Sequence, residues 1–244
     1  MSGSVKRAIV IVGGFNSVWT AYLKMARDLE DVTGLPAIGV PLIPWHWWLA
    51  GRREDATNIL GKIEETIVWA RRRLGASRFI LVGHSAGGVA GRLYLCDQQV
   101  WGQVYAGLEH VDALITLGSP HCSQKGTEFG WFLTDKANRL VPGTPYGQVR
   151  YLTVGGRFLQ GHKNGSYEER RAFRLYAAFG GRGDTWGDGM IPLHCAGLDS
   201  VENLVLDGVA HSRKVDRVWY GGSAAVIRGW WPQDVHQQGV AHAE

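Results

Sequence analysis

Short apolar runs that alternate with amphipathic stretches constrain the fold of this chain most. Residues 7–12 (RAIVIV), 78–83 (RFILVG) and 111–117 (VDALITL) are nearly unbroken apolar segments of strand length. Further strands are predicted over residues 150–154 and 203–206, and residues 37–43 form a weaker strand pattern. Continuous apolar runs are typical of strands that are buried on both faces of a parallel sheet.

Helical periodicity appears between these runs. The clearest amphipathic helix extends from Ala56 to Leu74 and is closed by Gly75. Further helices are predicted over residues 19–29 and 86–97, from Ser166 onward and from about Ser223 onward. The alternation predicts one α/β domain over residues 1–244, with a mostly parallel sheet covered by helices on both faces. Segments 118–147 and 156–187 are expected to form a small lid or cap.

Charge and cysteine content narrow the class of protein. The formal net charge is +4, and the basic residues are scattered except for Arg71–Arg73 at a predicted helix end, so we expect no nucleic-acid partner. The apolar run 8–12 is too short for a signal peptide or a membrane span. Cys96, Cys122 and Cys195 show no close paired spacing, which predicts free thiols and a cytoplasmic protein.

A serine between glycines follows the central apolar run. Gly83-His-Ser-Ala-Gly87 has the G-x-S-x-G spacing of a nucleophile elbow, in which a sharp strand-to-helix turn exposes the serine hydroxyl. The strand before it and the helix after it favour Ser85 as a nucleophile over Ser85 as a turn residue. The N–H of Ala86 would then point toward a developing oxyanion.

A serine hydroxyl needs a base that a carboxylate orients. His211 lies just beyond strand 203–206 and is the predicted base, whereas His84 is expected to point away from Ser85. Asp188 on a glycine-rich turn is the predicted acid, and Asp184 in the same loop is its main rival. The other downstream histidines considered are His110, His121, His162, His194, His236 and His242.

The remaining site residues come from other loops. The loop 13–17 is expected to supply a second oxyanion donor, the N–H of Phe15. Four tryptophans are predicted to line an apolar substrate cleft or, alternatively, to pack a lid against the sheet: Trp47 and Trp48, which share a predicted loop with Trp45, and Trp131 and Trp186.

The pairs His121-Cys122 and His194-Cys195 could suggest zinc ligands, but their spacing matches no common site. We therefore predict no metal and no organic cofactor.

Four short motifs together resemble a known superfamily: GHSAGG at 83–88, TLGSPH at 116–121, GDGMIP at 187–192 and GVAH at 208–211. Over residues 7–215 the chain resembles the α/β-hydrolase superfamily and is similar to lipases related to the GPI inositol deacylases. The resemblance implies a minimal form of the fold without the first two strands, and a serine esterase or lipase with the triad Ser85, Asp188 and His211. Gly13-Gly14 stands where such proteins commonly have His-Gly.

The expected activity is cleavage of carboxylic esters with apolar acyl groups through an acyl-enzyme. A small-molecule ester or lipid is the expected substrate, with contact to a membrane or lipid interface as a further expectation. Acyl transfer and thioester or amide hydrolysis by the same triad are alternatives. A catalytically silent scaffold that binds a hydrophobic ligand is an alternative of another class.

Overall fold

A computed structural model describes residues 6–122 and 131–232, with Trp131 described by its backbone alone. The strands are β1 (Arg7–Val12), β2 (Ala37–Gly39), β3 (Arg78–His84), β4 (Val111–Leu117), β5 (Arg150–Arg157), β6 (Leu159–Gln160), β7 (Trp186–Gly187) and β8 (Glu202–Asp207). The helices are α1 (Leu23–Thr33), α2 (Pro44–Arg53), α3 (Thr57–Leu74), α4 (Ala86–Tyr94), α5 (Gly107–His110), α6 (Trp131–Leu140), α7 (Tyr167–Gly180), α8 (Leu193–Ala196) and α9 (Ala224–Trp230), with a 3₁₀ turn at Trp19–Tyr22.

Six strands form the central sheet in the order β2-β1-β3-β4-β5-β8, and every pairing in it is parallel. This confirms the predicted mostly parallel sheet. Because all six strands point the same way, the loops that follow them gather at one edge, which we call the carboxyl edge.

The two faces of the sheet bury different sets of side chains. Ala8, Val10 and Val12 of β1 pack into the cluster that contains α3 and α4. Ile9 and Ile11 of the same strand pack with residues of α1 and α9 on the opposite face. Two-sided burial explains why the strands read as continuous apolar runs, and the helices on both faces confirm that prediction.

The interpretation of residues 45–48 as a loop is wrong. Trp45, Trp47 and Trp48 lie on α2, which begins with Pro44 at its first position and ends with Arg52 and Arg53 in its last turn. Proline at this position and cations at a helix end are known helix signals. These signals are hard to recognise in the sequence because four consecutive aromatic rings, Trp45 to Trp48, follow Pro44. Such a run shows no alternation of apolar and polar faces from which a helical period could be read.

The two predicted lid segments differ in what the structure shows of them. Within 118–147, α6 packs on α4 and places Leu133 and Ala137 in the core, while residues 123–130 lie outside the described residues. Within 156–187, the antiparallel pair β6–β7 and α7 form an excursion that ends just before Asp188. The lid role of both segments stays a prediction.

The prediction of free thiols is wrong for two of the three cysteines. Cys122 and Cys195 form a disulfide with their Cα atoms 4.9 Å apart, and Cys96 is free and buried. The two are 73 residues apart, so only the meeting of the loop after β4 with α8 brings them together. Since disulfides are typical of oxidising compartments, the argument for a reducing compartment loses its basis.

None of the helices in the described ranges combines the length and the apolar character that crossing a bilayer would require.

Candidate active site

Ser85 occupies the turn between β3 and α4 in a backbone conformation that serine seldom adopts, with φ 54° and ψ −129°. A Cβ added at Gly83 would collide with the backbone of Gly88, and one added at Gly87 would collide with the carbonyl oxygen of Val12. The glycines therefore permit the close strand-to-helix crossing that holds Ser85 in its strained turn.

Two backbone segments lie beside Ser85 where an oxyanion would form. Ala86 is the first residue of α4, so its N–H has no intrahelical acceptor and lies at the positive end of the helix dipole. The loop after β1 approaches so closely that a Cβ on Gly14 would lie 2.8 Å from Ser85 Cβ. Phe15 follows on this loop, and its role as second donor stays a prediction.

His211 and Asp188 form a buried acid–base pair. Asp188 Oδ2 lies 2.8 Å from His211 Nδ1, and the residues are 1% and 3% exposed. Asp188 Oδ2 also accepts the Tyr220 hydroxyl at 2.9 Å, while Oδ1 accepts the N–H groups of Met190 and Ile191 at 3.0 and 2.7 Å. These donors replace the water that a buried carboxylate has lost. A proton held on Nδ1 leaves Nε2 of His211 with the lone pair that a general base needs.

The rival carboxylates are engaged elsewhere. Asp184 is exposed and forms an ion pair with Arg182 at 3.2 Å. Asp207 pairs with Arg157, with 2.9 Å between Nη2 and Oδ2. Neither hydrogen-bonds to a described histidine, so the structure brings Asp188 and not Asp184 to His211.

Within the described residues, no direct hydrogen bond joins Ser85 to His211, but the residue before Ser85 contacts His211. The His84 and His211 rings are 4.8 Å apart, and His84 is the residue before Ser85. Among the hydrogen bonds of the described residues, none joins Ser85 Oγ to His211 Nε2. Such bonds commonly shorten only when substrate enters, so the arrangement is compatible with a base above a nucleophile.

A buried chain of hydrogen bonds links the two loops that flank Ser85. The Gly14 N–H donates to the Tyr22 hydroxyl at 2.9 Å, and Tyr22 and His84 Nδ1 are 2.7 Å apart. His84 Nε2 lies 2.8 Å from the carbonyl oxygen of His211, which can only accept, so we assign the proton to Nε2 and let Tyr22 donate to Nδ1.

Burial, and then the nearby His211, lowers the pKa of His84 to about 3, which keeps its ring neutral at ordinary pH. The sequence predicts only that His84 points away from Ser85 and indicates no role for His84. No sequence signal could reveal one, because its partners lie 62 and 127 residues distant.

His121 is buried and contacts side chains of β4 and α4. Its Nε2 lies 3.0 Å from Thr116 Oγ1, and its Nδ1 lies 3.4 Å from Arg92. Burial, and then the Arg92 charge, holds the pKa of His121 well below its usual value. Arg92 also donates to Asn138 at 3.0 Å and to the Val141 carbonyl at 2.6 Å, which fastens α6 to α4.

The other histidines stand apart from Ser85 or beyond the described chain. His110 contacts Arg71, His194 lies near the Gly180 carbonyl, and His162 is exposed. His236 and His242 lie outside the described residues.

The predicted substrate-binding tryptophans separate into two kinds. Trp47 is 3% exposed and packs in the core, with its ring centroid 6.1 Å from that of Phe15. Trp48 and Trp186 are 48% and 43% exposed, so their rings are available to a ligand. The Trp131 side chain lies outside the described residues.

Three of the four residues of the two His-Cys pairs come together, and His121 is not among them. Ligand atoms of Cys122, His194 and Cys195 lie within 4.8 Å of one another. The two sulfurs are bonded to each other, and metal ligation requires free thiolates. The donor set is therefore closed to a metal while the disulfide is intact.

No protein-family profile and no curated protein sequence matches the chain. Its structure is similar to the mature lipase of Bacillus licheniformis, with a TM-score of 0.61, 20% identity, and 86% of this chain and 87% of that chain covered. It is also similar to a Lactobacillus plantarum protein named, provisionally, a cell surface hydrolase, with a TM-score of 0.52, 12% identity and 98% of each chain covered. At these identities the likeness shows a shared fold and nothing finer.

Proposed function

We propose that this chain, which has the α/β-hydrolase fold, is a serine hydrolase that cleaves carboxylic esters with apolar acyl groups. The observation that carries the proposal is the buried His211–Asp188 pair at 2.8 Å, next to a strained serine elbow on the carboxyl edge. A serine elbow and a buried acid–base pair from three remote segments have little structural reason to lie at the same edge of the sheet.

In the proposed mechanism, His211 Nε2 takes the Ser85 proton as Oγ attacks the ester carbonyl. Asp188 stabilises the imidazolium, and the N–H groups of Ala86 and Phe15 bind the oxyanion. The attack forms the bond from Ser85 Oγ to the acyl carbon, the ester carbon–oxygen bond then breaks, and the alcohol leaves with the proton from His211. Water then attacks this acyl-enzyme with the same base, which releases the acid and restores Ser85.

The preference for apolar acyl groups is inferred from exposed aromatic rings on two segments near the carboxyl edge, α2 after β2 and β7 just before Asp188. The exposed rings of Trp48 and Trp186 offer aromatic faces without charge. Apolar surfaces of this kind bind acyl chains by removing both partners from water.

The test is hydrolysis of p-nitrophenyl esters from acetate to palmitate by wild type, Ser85→Ala and Ser119→Ala. We expect Ser85→Ala to lower kcat at least roughly 10³-fold. Ser119→Ala is the matched control, because the Ser119 hydroxyl is buried without a hydrogen-bond partner among the described residues and its loss leaves no group unsatisfied.

A fluorophosphonate should label wild type at Ser85 and fail to label Ser85→Ala. Ester cleavage that survives Ser85→Ala would refute the assignment. Wild-type protein that neither turns over esters nor reacts with the probe would favour the silent scaffold.

A further inference from the structure

We propose that the protein docks on an anionic phospholipid surface through an aromatic platform beside the active site. The platform consists of six exposed apolar side chains: Phe15, Val18, Trp19, Ile43, Trp45 and Trp48. The inference deepens the proposed function, since it names the interface from which ester substrate would reach Ser85, and it rests on that function for its purpose.

The platform is contiguous although its residues come from two segments. The Trp19 N–H donates to the Leu42 carbonyl at 2.9 Å, which holds the segment 15–19 against the start of α2. Trp45 and Trp48 stack with their ring centroids 4.8 Å apart, and the Phe15 ring packs near Trp47 at 6.1 Å. Both segments directly follow β1 and β2, so the platform lies at the carboxyl edge with Ser85.

Exposure of these side chains is concentrated and not scattered. Among the described residues, thirteen large apolar side chains are exposed, and six of them form this platform. Single exposed apolar residues are ordinary, whereas a contiguous group marks a contact surface. On α2, Trp47 is buried in the core while Trp45 and Trp48, three residues apart, share the outward face.

A group of cations lies at the same end of the molecule as the platform. Arg52 lies over the Trp48 ring at 5.0 Å, and Arg53 follows it at the end of α2. The loop after His211 adds three exposed cations, and none of the five forms an ion pair with a described residue: Arg52, Arg53, Arg213, Lys214 and Arg217.

The nearby acids only partly offset this charge. The end of α2 and the loop after His211 together carry three carboxylates, Glu54, Asp55 and Asp216. Five cations against three carboxylates leave these two segments together with an excess of two positive charges.

The His211 loop returns across the sheet to the platform side. The Trp219 ring lies 6.2 Å from Tyr22, which ends the 3₁₀ turn that begins at Trp19. The cations of this loop and those of α2 thus occupy the same end of the molecule as the platform.

This chemistry favours a lipid surface over a protein partner. Indole rings prefer the boundary between headgroups and acyl chains, and lysine and arginine next to them gain energy from anionic headgroups. Exposed tryptophans at the same end of the molecule as exposed cations match that boundary. Docking in this way would turn the carboxyl edge and Ser85 toward the lipid.

The experiment measures co-sedimentation with phosphatidylcholine vesicles that contain or lack phosphatidylglycerol. Wild type and Ser85→Ala should bind the anionic vesicles equally, bind the neutral ones more weakly, and dissociate as salt is raised. Trp19→Ala/Trp45→Ala should lower the partition coefficient at least about tenfold. Arg53→Gln/Lys214→Gln should lower it roughly 25-fold, since each cation near the surface contributes about fivefold.

Trp69→Ala is the matched control. Trp69 is 51% exposed on α3 beside Arg72 and Arg73, but at the helix end that leads to the amino end of β3. The Trp69→Ala variant should therefore bind anionic vesicles as tightly as wild type. Quenching of wild-type tryptophan fluorescence by brominated acyl chains provides a second measurement that needs no variant.

Equal binding by the Trp19/Trp45 variant, equal loss in Trp69→Ala, or no binding of wild type to anionic vesicles at low salt would overturn the proposal. Wild type that stays off vesicles but pairs with a protein through these residues would also overturn it. Vesicle binding is measured without turnover. If Ser85→Ala binds but wild type cleaves no ester, the proposed function fails alone; if esters are cleaved but vesicles are not bound, the docking surface fails alone.

Discussion

At the scale of single residues, burial and hydrogen bonding distinguish Asp188 from Asp184 as the proposed acid, although both lie in one loop. Asp184 and Asp188 share one loop, yet Asp188 is 1% exposed and accepts from four donors, whereas the Asp184 carboxylate is exposed beside Arg182. A carboxylate that holds a histidine in one tautomer must itself be fixed, and only Asp188 is.

We therefore expect Asp188→Asn to lower kcat by roughly 10⁴-fold, because an amide cannot stabilise the imidazolium and favours the wrong tautomer. Asp184→Asn is the control with the same chemical change and should retain wild-type rates. Steady-state kinetics on one p-nitrophenyl ester compares the two. A larger loss in Asp184→Asn would transfer the acid role to Asp184.

His84 makes stability depend on pH. Its folded pKa is about 3 and its unfolded pKa about 6.5, so between these values the unfolded chain binds more protons. The contribution is fully present above pH 6.5 and is lost progressively as the pH falls toward 3. His121, whose pKa is also lowered by burial, acts in the same direction.

The free energy of unfolding, measured with urea, should be lower at pH 5 than at pH 7, and His84 should account for on the order of 2 kcal/mol of the difference. His84→Gln keeps a donor and an acceptor but does not titrate, so it should remove about that much of the pH dependence. His162→Gln, at an exposed histidine, should leave the pH dependence intact. An unchanged pH dependence in His84→Gln would show that this ring is not kept neutral by burial.

At the scale of elements, the disulfide joins the loop after β4 to α8, which directly follows the acid's turn. Cys195 belongs to a small apolar cluster with Ile191, and the Ile191 N–H is one of the donors to Asp188 Oδ1. The bridge thus stabilises the fold and also supports the turn that carries the acid.

We expect Cys122→Ser/Cys195→Ser to lower the free energy of unfolding by about 4 kcal/mol, from the loop entropy that the bridge removes across its 73-residue separation. A dithiol reductant should lower the thermal midpoint of wild type but not of this variant. Cys96→Ala is the control, since Cys96 is free, and it should still respond to the reductant. Wild type whose midpoint does not change with the reductant would contradict the bridge.

At the scale of the whole molecule, one parallel sheet determines where chemistry can occur. Loops after β1, β3 and β8 deliver Phe15, Ser85 and His211 to the same edge, and the excursion after β5 delivers Asp188. The aromatic platform, with Arg52 and Arg53, occupies the β2 and β1 side of that edge. We therefore expect substrate capture and chemistry to share one end of the molecule, which the vesicle and ester assays test separately.

The sequence by itself determined the parallel sheet, its main strands and the turn at Ser85, because apolar periodicity and glycine spacing are local properties of the chain. Helix α2 was not predicted, because its four consecutive aromatic rings show no alternation of apolar and polar faces. Only the tertiary structure decided the disulfide, the contact of His211 with Asp188 rather than Asp184, and the link from Gly14 through Tyr22 and His84 to His211. These depend on groups 8 to 127 residues apart, and their contacts exist only after the strands have packed side by side.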